Sequence, residues 1–284
     1  MSFQLRGALS GCLWVLSAVA VPSAALAQPT APTTQAQQRP TFADLADMAD
    51  SSQLVVLARI KQLTRVEDAR ANGLRPGYKR FYMIGETRAL LTGTSPIGQT
   101  FAYLADLPVD RKDKPTLRKK DAVILFARPV QGRSGELQLV SPNAQVLWNP
   151  ETEAKVRSIV TALIAPDAPA RVTGVRELIY VPGNLAGEGE TQIFLNTKDS
   201  SAASITVRHQ PGGATEWGVS FSELVAELGH PPQPDTLEWY RLACFLPRTP
   251  PSNSNMSEGA AERQTADADY RMVLNALGPC RRSA

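Results

Sequence analysis

Histidine is almost missing from this sequence: His209 and His230 are the only two in 284 residues. Neither has a second histidine, a cysteine or an acid at ligand spacing, and no C-x-x-C, H-E-x-x-H or EF-hand pattern occurs. A zinc or calcium centre needs several such ligands converging on one point, so no metal site is expected. The G-x-S-x-G elbow of a serine nucleophile is also lacking. Its nearest approach, Gly218-Val219-Ser220, is explained more simply by Ser220 capping a helix. No catalytic or cofactor-binding residue is assigned. Excess charge is missing too. A net charge of +3 and 20% charged residues are too mild for nucleic-acid binding, which shows a concentrated basic face. Aromatic residues make up 6% against 43% hydrophobic residues overall, a globular composition rather than a disordered or membranous one.

The one long apolar run stands at the N-terminus. Arg6 and the free amine are followed by an uncharged stretch from Gly7 to Ala24, then by Ala25-Leu26-Ala27 and Gln28. This order reads as a secretory signal peptide over residues 1–27, cut between Ala27 and Gln28. An uncleaved anchor competes, because about 18 apolar residues nearly cross a bilayer, but Pro22 and the A-x-A end favour cleavage. Leu9-Ser10-Gly11-Cys12 matches the lipoprotein-processing pattern. However, the apolar stretch that should precede such a cysteine lies after it. The mature protein is therefore expected in the periplasm or secreted, with no membrane span after cleavage. Of the three cysteines, Cys244 and Cys280 remain. In an oxidising compartment they suggest a disulfide, the alternative being a thiol nucleophile with a free partner.

Residues 28–40 have no periodicity and read as a disordered lead-in. A short helical turn is expected from Thr41 through Met48, then strands at 54–60, 78–91, 100–104, 121–127, 137–140 and 144–148. In the second of these, Phe81, Met83, Ala89 and Leu91 fall on one face by even spacing. Asn149 and Pro150 open a helix whose apolar stripe is Val156, Ile159, Val160 and Leu163. The Ala- and Pro-rich segment 165–171 reads as a linker. Further strands are expected at 177–181, 191–196, 203–209 and 216–221, with Ile205, Val207 and His209 facing opposite to Ser204, Thr206 and Arg208. Ser220 and Glu223 predict a helix through Leu228, Asp235 and Glu238 one through Phe245, and Tyr270, Val273, Leu274 and Leu277 a last helix over 266–277. The fold class is mainly β with α+β elements: a β domain over 41–164 and a β-rich domain with two or three helices over 172–284.

The segment Ala49-Asp50-Ser51-Ser52-Gln53-Leu54-Val55-Val56-Leu57-Ala58-Arg59-Ile60, the strand end Leu90-Leu91-Thr92-Gly93 and the strand Asp121-Ala122-Val123-Ile124-Leu125-Phe126 carry a resemblance. Together they are similar to the netrin/TIMP-like variety of OB-type barrel. The resemblance implies a five-stranded barrel over 41–164 of the kind found in secreted proteins. Inhibitory members of that family engage a protease metal through an N-terminal cysteine. Here the expected mature start is Gln28, and residues 41–164 contain no cysteine.

Among polar features, Gly183, Gly187 and Gly189 superficially form a phosphate cradle, but Glu188 and Glu190 would repel phosphate there. The most concentrated feature is Arg111, Lys112 and Lys114 followed by Arg118, Lys119 and Lys120 in one inter-strand loop. It could touch anionic envelope polymers, lipid headgroups or an acidic partner, or simply keep a sheet edge solvated. Tyr78, Lys79, Arg80 and Tyr82 form an aromatic-basic strip that alternation divides between two faces. The sequence thus reads as an exported, non-catalytic binding or scaffolding protein of a bacterial envelope, with an unknown protein or envelope polymer as partner. The rival is a carboxylate-based hydrolase of an envelope polymer, because two acids suitably placed are all that such chemistry requires.

Overall fold

Leu54, Val55 and Val56 leave no polar face, so the strand that carries them must be covered on both sides. In the computed structural model, which describes residues 39–222 and 229–283, it is the seam of a closed barrel. This strand, β1 (Leu54–Arg65), pairs antiparallel with β2 (Tyr78–Gly93) on one side and β4 (Ala122–Pro129) on the other. β2 pairs antiparallel with β3 (Thr100–Pro108), β3 runs parallel to β5 (Glu136–Leu139), and β5 returns antiparallel to β4. The circuit is a five-stranded mixed barrel of OB-like form, as the sequence led us to expect. A short strand, β6 (Gln145–Leu147), adds to β4 outside it.

Leu54, Val56, Ala58 and Ile60 fill the barrel with Phe81, Met83, Phe101 and Leu125. Val55, Ile124 and Phe126 point outward beneath α1 (Phe42–Ser51) and α2 (Pro150–Ile164). The even spacing in β2 fails. Val55 and Val56 face Thr92 and Leu90, and Leu57 and Ala58 face Ala89 and Thr87, so Leu91 and Arg88 are each one residue too many. Such bulges twist a strand and interrupt its alternation. Phe81 and Met83 stay inside, while Leu91 packs against the outer cluster.

The second half forms an antiparallel sheet in the order β10 (Glu216–Ser220), β9 (Ser204–His209), β8 (Gly189–Thr197), β7 (Val172–Pro182). Ile205 and Val207 are in the core with Tyr270 and Val273 of α4 (Ala260–Leu277). That helix starts before Ala266, because its first turn is solvated and carries no apolar stripe to announce it. In α3 (Leu237–Ala243) the cap is Thr236, whose hydroxyl accepts the Trp239 amide at 3.2 Å, rather than Asp235. Asp235 has φ +59°, in the left-handed region, just outside the helix. The helix expected from Ser220 through Leu228 falls on residues 223–228, outside the described residues.

Three carboxylates on one face of α1 fasten these parts. Asp44 receives the amide and hydroxyl of Ser283, Asp47 the Tyr240 hydroxyl and Arg282, and Asp50 both Arg241 and Arg171. Segment 165–171 is anchored at Arg171 and at the Pro169 carbonyl, which accepts from Arg241 at 3.2 Å. Cys244 and Cys280 form the expected disulfide.

Candidate binding site

The six predicted cations lie in the β3–β4 connection, residues 109–121, and the structure divides its charges into two groups. Its acids are consumed locally. The Asp110 carboxylate accepts the amides of Lys112 and Lys114 at 2.8 and 2.9 Å, and Asp121 accepts the Arg118 amide at 2.8 Å. Asp113 pairs with Arg65 at 2.9 Å. Leu117 is buried in the barrel interior and pins the loop. Arg111, Lys112, Lys114, Arg118, Lys119 and Lys120 are all exposed, and among the described residues none forms an ion pair. Short polar side chains close hydrogen bonds to nearby amides and shape a turn, whereas long cationic ones reach solvent.

The β1–β2 connection, residues 66–77, lies alongside. Asp68 binds Lys79 at 2.9 Å and Arg65 at 3.1 Å. The hydrogen bond from Lys79, followed by that from Arg65, holds the Asp68 carboxyl below its ordinary range. The two connections border an open cleft of about 670 Å³, with Leu74, Arg75, Tyr78, Lys79 and Arg111 among its lining. The Arg75 guanidinium lies over the Tyr78 ring, 4.5 Å from its centre. On the other side of that pair is a smaller hollow of about 240 Å³, lined also by Asp106 and Asn143.

Only Arg111 of the six predicted cations lines the larger cleft. Lys112 and Lys114 occupy the exposed loop tip, and Arg118, Lys119 and Lys120 lie beyond the Leu117 anchor. Arg75 has no counterpart in the sequence reading, since it comes from another loop. Tyr78, Arg80 and Tyr82 share the outer face of β2, while Lys79, half-buried at the strand end, lines the cleft. This is the division between two faces that alternation predicts.

The glycine-rich loop is no anion cradle. Glu188 Oε2 accepts the amides of Asn184 and Leu185 at 3.0 and 3.1 Å, so the chain's own carboxylate occupies the anion position. His209 closes β9 and is held by its neighbours. Its Nε2 bonds the buried Asp269 at 2.9 Å, Asp269 also accepts the Thr191 hydroxyl at 2.5 Å, and Tyr180 packs edge-on against the imidazole. His209→Ala strips one donor from a buried carboxylate and should cost about 1–3 kcal/mol of stability in urea unfolding. A change within error would show that Asp269 is solvated instead.

Among the described residues, no three His, Cys, Asp or Glu side chains are grouped to hold a metal ion. No protein-family model matches the chain, and no curated protein is similar to it.

Proposed function

We propose that this chain is an exported, non-catalytic binding or scaffolding protein of the bacterial envelope that engages an anionic partner through loop 109–121 and Arg75. The observation that carries the reading is the division of charge in that loop, its acids bound to amides and to Arg65 while its six cations remain exposed. Electrostatic surfaces of this kind steer anionic partners and set specificity. The Cys244–Cys280 disulfide fits an oxidising, extracytoplasmic compartment. Among the described residues no helix is long and apolar enough to cross a membrane.

The barrel, flanked by α1 and α2, supports the narrower kinship with netrin/TIMP-like proteins as part of this proposal. With no cysteine in residues 41–164, binding without protease inhibition is the reading adopted, and fold alone would license neither. The hydrolase alternative needs a carboxyl held protonated to act as acid. Of the three acids that line the cleft, Asp68 is bound by Lys79 and Arg65, Asp113 by Arg65, and Asp110 accepts two backbone amides, so all three are already engaged.

Replacing all six loop cations by glutamine tests the reading. Anisotropy titration with labelled poly-glutamate and with a polyuronate at low ionic strength should show roughly tenfold weaker binding, and added salt should narrow the difference. Unchanged affinity for both polymers would overturn it.

A further inference from the structure

The outer face of β2 and β3 carries large side chains that the core does not use. Tyr82 and Leu104 are directly opposed across the two strands and are 43% and 51% exposed. Tyr78 and Pro108 oppose each other at one end of the same face, and Arg80 and Asp106 stand between the two pairs. The guanidinium of Arg80 meets Asp106 through two hydrogen bonds of 2.7 and 2.9 Å. From Tyr78 to Tyr82 the strip runs about 13 Å along the strand. It continues into the cationic cleft, because Tyr78 lines both hollows and lies beneath Arg75.

We infer that this strip is a stacking platform for a polysaccharide bearing acidic groups. The inference rests on the anion-binding reading of loop 109–121 and names the chemistry of the partner. A sugar ring has an apolar C–H face and a rim of hydroxyls. It therefore calls for a flat aromatic or aliphatic surface beside paired donors and acceptors, which Tyr82, Leu104 and the Arg80–Asp106 pair provide. Its acidic substituents meet the complementary charge of Arg75 and Arg111. Because Arg80 compensates the Asp106 charge, the middle of the strip favours neither sign and suits ring hydroxyls, while the anionic groups are met at its cationic end. A hydroxyl-rich chain can donate to that same carboxylate.

The test uses the full mature chain carrying Tyr82→Ala and Leu104→Ser together. Both positions are exposed, so melting should be nearly unchanged. Wild-type protein should bind a polyuronate oligomer about tenfold more tightly than poly-glutamate of equal charge, and the double variant should lose that preference while keeping its poly-glutamate affinity. Equal binding of the two polymers by wild type, or an unaltered polyuronate affinity in the variant, overturns the platform. Tighter binding of an oligo-thymidylate than of the polyuronate also overturns it, by assigning the strip to nucleic acid. Unchanged affinities in the six-glutamine loop variant, with the Tyr82 effect intact, would instead overturn the anionic reading and leave a neutral-sugar surface.

Discussion

Replacing Asp50 with alanine should lower the unfolding free energy by about 3–5 kcal/mol. Asp50 accepts two hydrogen bonds from Arg241, at 3.0 and 2.9 Å, and pairs also with Arg171. Arg241 is only 5% exposed. Without Asp50 its guanidinium would keep the Pro169 carbonyl at 3.2 Å and no counter-charge among the described residues. The cost comes from a cation left buried without compensation, not from the net worth of the pair. The comparison is Asp113→Ala. Asp113 and its partner Arg65 are both well solvated, so that loss should stay within about 1 kcal/mol. Urea unfolding followed by far-UV circular dichroism measures both. An Asp50 effect as small as that of Asp113 would show that water reaches the Arg241 pocket.

The same pair gives the acid limb of stability its sign. Burial pushes the Asp50 carboxyl up, but the hydrogen bonds and charge of Arg241, with those of Arg171, outweigh it and hold the group below its ordinary value. Asp44 is lowered likewise, with burial opposed by Ser283 and Thr41. Because the unfolded carboxylates bind protons first, this stability is complete above their unfolded pKa of about 4 and disappears as pH falls through the folded values. Asp50→Asn should therefore be markedly less stable than wild type at neutral pH and converge toward it below about pH 4. An offset that stays constant with falling pH would mean that Asp50 matters by shape alone.

The parts of the fold legible in the sequence were those announced by neighbours in the chain. The run from Leu54 to Val56 signals a strand covered on both faces with alternation taking over toward Ile60, Asn149 and Pro150 signal a helix start, and the two cysteines left after the signal segment allow one pairing. What escaped notice depended on distant partners. The bulges at Arg88 and Leu91 are set by β1 fitting both β2 and β4. The first turn of α4 has no apolar stripe. His209 reaches Asp269 across 60 residues, and nothing near either residue signals the other. The candidate site divides the same way. The six cations are contiguous and visible, whereas Arg75 and Tyr78 join Arg111 only because the barrel brings two of its connections together. The Asp44, Asp47 and Asp50 series is an ordinary acidic helix face until the C-terminal segment folds against it.

That last contact gives the Cys244–Cys280 disulfide a larger role than closing a loop. Constraining the unfolded chain across a separation of 36 residues should contribute about 4 kcal/mol in the chain-entropy model. For a chain of this size that is a fall in Tm of roughly 10 °C when both cysteines become serine. Beyond Cys280, the Arg281 carbonyl accepts the Thr41 hydroxyl at 2.8 Å, Arg282 pairs with Asp47 at 2.5 Å, and Ser283 bonds Asp44. These residues reach α1 from the point where the disulfide holds the chain against the end of α3. Without it, each contact must also offset the freedom of the segment after Gly278. The double-serine variant should thus show an added local effect. Carboxypeptidase should remove Arg281, Arg282 and Ser283 well below the new Tm, while the disulfide-bonded protein resists under the same conditions. Equal trimming rates with a lowered Tm would confine the disulfide to its global role. An unchanged Tm after verified loss of the bond would show that the helices hold the C-terminal segment without it.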